Sequence, residues 1–345
     1  MDSVSSPPPS VFIRTVRKLY NPLGFKKGYN FTLFFIFAGA WMGFTLARLQ
    51  FLDFSIFCKN AVPGECFYYK ELRYIGLYLH LGCILPAAFL AFFQFIPAIR
   101  YKFILFHRIN GYIIILLVLV SNAGALIIAR HAFGGLISTQ AAVGFLVIMS
   151  TAAIGMAYYN VKRLQLEQHR AWMLRAFFYM GCIITVRIIL AISSAIISIS
   201  PAYYMAQPCD KVDLIIGKEQ TIERYPDCAA FYNGSHPDQN VLVLGNFNGD
   251  ADEIGTALNL TFGMALWLAL FIHALGVEIY LQLTPRESRR LREISYSRQL
   301  EAGFKNPGRA GLTVDKFGDS EPWVSEKLQP LERPQLGLSN CRLNA

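Results

Sequence analysis

This sequence predicts an all-α, polytopic membrane protein, with six transmembrane helices around a four-helix core and both termini in the cytosol. Three observations predict it. Six apolar runs each reach the roughly 20 residues needed to cross a hydrocarbon core. The composition is 54% hydrophobic and only 16% charged, where soluble domains carry about 25% charged residues. Lysines and arginines crowd alternate connections between the runs, as orientation by positive charge requires.

Taken in order, residues 1–28 form a cytosolic segment, Pro/Ser-rich at first and then basic through Arg14, Arg17, Lys18, Lys26 and Lys27. No short apolar stretch with a small-residue cleavage site follows, so no cleaved signal peptide is expected. A membrane domain is expected over 29–283, with spans at about 29–51, 74–99, 109–129, 136–159, 176–200 and 256–283. Gly134-Gly135 makes a tight turn between the third and fourth spans. The stretch Asn160–Arg187 opens as a basic turn holding His169, Trp172 and Arg175, then continues as an apolar helix that carries Arg187 into its middle. The tail, 284–345, mixes charge, Pro and Gly; it reads as a short juxtamembrane helix followed by a largely disordered cytosolic segment.

Orientation follows from the basic residues. Five lie before the first span, three in 100–108 and four in 160–175, whereas the connection 201–255 sets three basic residues against nine acidic ones. That distribution puts 52–73 and 201–255 outside the cytosol. It also explains the net charge of +9 without a nucleic-acid partner, because the basic residues sit beside apolar spans and not on one polar face. Loops that face an oxidising lumen or exterior favour disulfides, so Cys58–Cys66 and Cys209–Cys228 are the expected pairs. Cys83 and Cys182 inside spans, and Cys341 in the tail, are expected to stay reduced. The Asn-Gly-Ser sequon at Asn233 is a glycan acceptor in the same outer loop. These features suit the endoplasmic reticulum, the vacuole or the plasma membrane.

The chemistry rests on few polar residues at membrane depth. His80 lies about 9 Å below the outer end of the second span and Asn122 about 10 Å below that of the third, at about 1.5 Å per residue. Arg187 lies deeper in the fifth span. A charge at that depth costs at least about 2.5–3.5 kcal/mol on insertion scales, so it needs a partner. No Asp or Glu stands at that depth in the central spans, which leaves Asn122, tyrosine or backbone oxygens, or an anionic ligand. At the cytosolic face, His107 and Arg108 open the third span, and His169, Arg170, Trp172 and Arg175 open the fifth. Basic and aromatic residues at a boundary form an ordinary interfacial belt. Histidines on separate helices, each beside arginines, also suit axial ligation of a b-type haem, with Arg108 and Arg175 on its propionates. His80 and His131 are the outer pair for a second haem. His273 and Glu278 form a candidate local pair in the sixth span. HExxH, GxSxG, Gly-rich nucleotide loops and Asp-rich diphosphate motifs do not occur.

HRINGY at His107–Tyr112, RHAFGG at Arg130–Gly135, HRAWMLRAF at His169–Phe177 and the later Arg187 together resemble a bacterial and fungal family of predicted membrane proteins, known only as a domain of unknown function. The resemblance covers roughly Tyr74–Ser200, the central four spans. His80, His107, Arg108, Gly111, His169, Trp172, Met173, Arg175 and Arg187 stand where the family's motif residues lie. It implies a fold and candidate residues, not a reaction. Its fungal members accompany secondary-metabolite pathways, which implies an accessory or enzymatic role there. The first and sixth spans, the long Cys-containing loop and the tail read as an elaboration of that core.

Three functions remain open on these residues. The first is a haem b membrane oxidoreductase or electron carrier using His107 and His169. The second is a non-redox transporter, scaffold or auxiliary component that sits in the lipid bilayer and binds an amphiphilic anion at Arg187. The third is a small intramembrane enzyme using His80 as acid or base beside Arg187.

Overall fold

The computed structural model describes residues 17–18, 20–25 and 27–325; the expectations for 1–16 and 326–345, Cys341 among them, lie outside the described residues. The chain folds as an all-α polytopic membrane bundle. Six helices are long and apolar enough to cross a membrane: Gly28–Leu52, Leu72–Gln94, Ile104–Ile128, Ile137–Lys162, Leu166–Ile197 and Ala251–Leu283. Each leaves large apolar side chains exposed, such as Phe35, Leu116, Ile148, Ile188 and Phe271. In lipid those faces need no cover, and a helix satisfies most of its backbone groups within itself.

The span boundaries depart from expectation for local reasons. The second span ends at Gln94, before 99, because Pro97 starts a separate helix, Pro97–Lys102, and its predecessor Ile96 is extended. The basic segment before Arg187 is helical and not a turn. No Gly or Pro interrupts Leu166–Arg175, and Glu167 sits in the first turn, where the helix dipole favours negative charge. The sixth span reaches back to Ala251 with Asp252 and Glu253 in its own first turn.

The chain divides into two compact units. The larger comprises 1–151 and 177–276. Its second and third spans approach closely at Gly124, where a Cβ would lie 2.6 Å from the His80 amide nitrogen and 2.7 Å from the Gly76 carbonyl oxygen. Small residues at such crossings let backbones touch where lipid supplies no hydrophobic drive. The first span joins them through Trp41 Nε1, which donates to the Ala88 carbonyl at 2.9 Å. The fifth and sixth are linked by Ser194 and Thr261, 2.9 Å apart.

The connection 201–255 is a folded cap. Strand β1 (Tyr204–Pro208) pairs antiparallel with β2 (Asn240–Leu244), Tyr204 opposite Leu244. Cys209 and Cys228 are bonded, and with Val212, Val241 and Val243 they form its core. The expected Cys58–Cys66 bond is absent: both are free thiols. Burial, then the hydrogen bond and charge of Cys66, push the Cys58 thiol up to about 12.

The smaller unit comprises 152–176 and 277–345. The expected juxtamembrane helix forms at Pro285–Glu301, and the segment after it, expected to be disordered, packs through hydrogen bonds in its described part. There, the Gly311 amide donates to Gln165 Oε1 and the Leu312 amide to Asn160 Oδ1, both at 2.9 Å. Gln299 donates to the Arg163 carbonyl and to Gln165 Oε1 at 2.9 Å each, and accepts from the Gly308 amide at 2.6 Å. Asp315 binds Arg292 at 3.2 Å and Arg309 at 2.6 Å. Composition alone hid this, because the order comes from buried amides and not from an apolar stripe.

Candidate functional site

The larger unit encloses a cavity of about 480 Å³. Residues of all six spans line it, among them Trp41, Leu77, Val118, Val147, Ile184 and Leu258. The first and sixth spans therefore help build the interior. The volume falls in the range of small-molecule sites, which are mostly apolar with a few placed polar groups.

Those polar groups gather around two arginines. Arg48 ends the helix Gly28–Arg48, where a cation suits the C-terminal dipole. Arg187 comes from the fifth span and lies over the rings of Phe133 and Phe262, at 5.2 and 5.9 Å from their centroids. Both guanidinium groups line the cavity, and they are near enough to repel. The Nε of each is buried and finds no hydrogen-bond partner among the described residues. A buried donor left unpaired costs about 1–3 kcal/mol, more when charged.

A carboxylate faces Arg187 from the connection between the first and second spans. Asp53 caps the short helix Phe54–Asn60 by accepting from the Ser55 and Ile56 amides at 2.8 and 3.2 Å. The chain then turns through Gly64, whose φ of +74° suits glycine. A Cβ there would meet Ile215 Cδ1 at 2.5 Å and Lys211 Cε at 2.9 Å, so the cap docks on this glycine. Glu65 follows, buried. It accepts from Tyr69 Oη at 2.8 Å, and its two oxygens accept from the Phe133 amide at 2.9 and 3.1 Å. Phe133 reaches it through a left-handed backbone, φ +48° and ψ +52°, uncommon for a bulky residue and typical of functional sites.

Burial pushes the Glu65 acid above the ordinary carboxylate range; the Phe133 amide, the Tyr69 hydroxyl, Lys211 and Arg187 pull against that rise. Lys211, on the cap helix Cys209–Ile216, is fully buried with Nζ 4.9 Å from the Tyr68 ring centroid and no hydrogen-bond partner among the described residues. Burial lowers it to about 8, with Glu65 opposing. Three cations, Arg48, Arg187 and Lys211, are thus set against one carboxylate in low dielectric.

The residues expected from the sequence are distributed as follows. Arg187 is in the site. His80 and Asn122 line the same cavity, but neither pairs with Arg187. His80 Nδ1 lies 2.9 Å from Ser121 Oγ and 3.2 Å from its carbonyl oxygen. Asn122 Nδ2 donates to Ser150 at 3.2 Å and Thr151 at 3.0 Å. His107 belongs to the larger unit, where its carbonyl accepts from Gln94 at 3.2 Å; Arg108 is exposed. His169 belongs to the smaller unit, with Nδ1 2.9 Å from the Ala157 carbonyl oxygen. Glu278 and His273 each have other partners: Arg175 donates to Glu278 at 2.6 and 2.9 Å, and His273 bonds Phe178 and Thr185 at 2.8 and 2.7 Å. Asn233 is exposed beside a turn.

A haem fits these residues poorly. Arg175, expected on a propionate, is committed to Glu278 and stacks on Trp172 at 4.6 Å. His131, expected as a second-haem ligand, faces Arg73 Nη1 at 3.0 Å through Nε2 and stacks on Tyr68.

The sequence reading missed Arg48, Glu65, Lys211, Phe133 and Phe262. The one available signal was Glu65 beside Cys66, an acid between the two cysteines of the first connection.

The chain is 24% identical to the Ava biosynthesis cluster protein G of Aspergillus versicolor over 313 residues, covering 75% of this chain and 89% of that protein. No solved structure matches it. Residues 77–207, which supply much of the cavity wall, match the family described as "Predicted membrane protein (DUF2306)", as HRINGY and HRAWMLRAF led us to expect.

Proposed function

We propose that this protein is a non-redox membrane component that binds one anionic amphiphile, with the anionic head between Arg48 and Arg187 and the apolar body in the cavity. The observation that carries the reading is the pair of buried, hydrogen-bond-free guanidinium nitrogens at the wall of an apolar cavity. Planar guanidinium donors match carboxylate, sulfonate and phosphate oxygens, and charge-assisted bonds to them are about twice as strong as neutral ones. Such an anion also offsets the excess of buried cations. Transport of the amphiphile, or its presentation to a membrane enzyme, both follow from one such site. Similarity to a biosynthesis cluster protein supports an auxiliary role beside a biosynthetic pathway, with an intermediate or product as the ligand.

Decanesulfonate tests the reading by titration into the protein in lipid nanodiscs. Saturable one-site binding that Arg187→Met weakens is the expected result. Equal uptake by both proteins, meaning partition into lipid alone, sinks it. An absorption spectrum after haem-supplemented expression supplies a second arm: a Soret band that shifts on reduction would return the redox reading to first place.

A further inference from the structure

Glu65 is the carboxylate of the site, and its charge can follow the ligand. It lines the cavity, lies within electrostatic reach of Arg187, and receives three hydrogen bonds that hold it in place whether or not it is ionised at both oxygens. We propose that Glu65 takes up one proton when the anion binds beside Arg187, so that the site loads an anion and a proton together. This rests on the amphiphile reading above.

The argument is electrostatic. In the empty site Arg187 stabilises the Glu65 carboxylate. An anion on Arg187 cancels that stabilisation and adds its own repulsion, and low dielectric magnifies both. The groups that face Glu65 come from every element around it: Tyr68 and Tyr69 from its own loop, Lys211 from the cap and Arg187 from the fifth span. Arg48 stands beyond Arg187, Asp210 beyond Tyr68, and His131 stacks on Tyr68 beside Arg73. Burial already raises both tyrosines, so their hydroxyls stay protonated and have no place for a further proton. Lys211 holds its proton below about 8. The carboxylate is therefore the acceptor: H⁺ from water adds to a Glu65 oxygen, giving the neutral acid with its Oη and amide donors still in place.

Linkage fixes the sign. Loading raises the pKa of the Glu65 acid, so affinity climbs as pH falls between the loaded and empty values, and it levels off on either side. The test measures decanesulfonate affinity in nanodiscs from about pH 7.5 to about pH 5, where Lys211 stays charged and the sulfonate stays anionic. Wild type is expected to tighten by up to about tenfold per pH unit. Glu65→Gln, which leaves Lys211, His80 and His131 untouched, is expected to bind tightly with no pH dependence. In parallel, calorimetry of the wild type in buffers of different ionisation enthalpy reads proton uptake directly and needs no variant to fold. Arg187-dependent binding that is flat with pH and releases no buffer heat overturns the proposal and leaves the binding site standing. Binding that is equally pH-dependent in Glu65→Gln also overturns it. Absence of any Arg187-dependent binding overturns the site and the proposal together.

Discussion

Replacing Arg187 by Met separates a ligand-binding cation from a structural one. In the structure Arg187 gives two cation–π contacts, to Phe133 and Phe262, at 5.2 and 5.9 Å. Such contacts contribute about 0.5–2 kcal/mol each. Against them stand at least about 2.5–3.5 kcal/mol for a charge at membrane depth and the cost of its unpaired Nε. Glu65 keeps Tyr69, the Phe133 amide and Lys211 after the change. The unliganded variant is therefore expected to be as stable as wild type, or up to about 2 kcal/mol more stable. Its anion affinity should fall by the value of a charge-assisted bond, about 1.5–3 kcal/mol, or roughly 10- to 150-fold. Melting followed by intrinsic fluorescence in detergent, at one fixed scan rate, checks the first number; sulfonate titration checks the second. A loss of about 3–5 kcal/mol in stability would mean that Arg187 serves mainly as the counter-ion of Glu65, and the reasoning would be wrong.

Other variants probe the remaining parts. Ala125→Phe puts a ring into the cavity from the third span, and should abolish sulfonate binding while the melting temperature holds or rises. Cys209→Ser opens the bond that closes a separation of 19 residues, and should cost the cap about 3 kcal/mol, read as a lower melting temperature that dithiothreitol no longer shifts. Gln299→Ala strips partners from buried amides at about 1–3 kcal/mol each, so limited proteolysis should cut 302–325 far faster, with sulfonate affinity unchanged.

The spans and the cap's disulfide were legible because hydropathy is a local signal and both cysteines fall in one connection between spans. Arg187 was legible for the same reason: a charge inside an apolar run stands out in one dimension. Its environment was not. Glu65 lies 122 positions away, in a loop whose charges balance, and it reaches the site only because Phe133 adopts a left-handed turn and Gly64 lets the cap pack down. Arg48 lies inside the expected first span and drew no reading. The HRAWMLR segment was read as an interfacial turn because its partner Glu278 stands 103 residues on. Histidines suggested haem by residue type; one ring nitrogen each of His80, His131 and His169 is engaged, by Ser121, Arg73 and Ala157, and both of His273, by Phe178 and Thr185, which no spacing rule reveals.

The central claim is that one amphiphile lies inside the bundle with its head at the arginines. An alkyl sulfonate carrying a diazirine in mid-chain tests it most directly, through peptide mapping after illumination in nanodiscs. The account predicts adducts on cavity residues such as Leu81, Ile84, Val147 and Met180, lost in Arg187→Met. Adducts confined to outward-facing residues such as Phe35, Leu116 and Ile148, equal in both proteins, would contradict it.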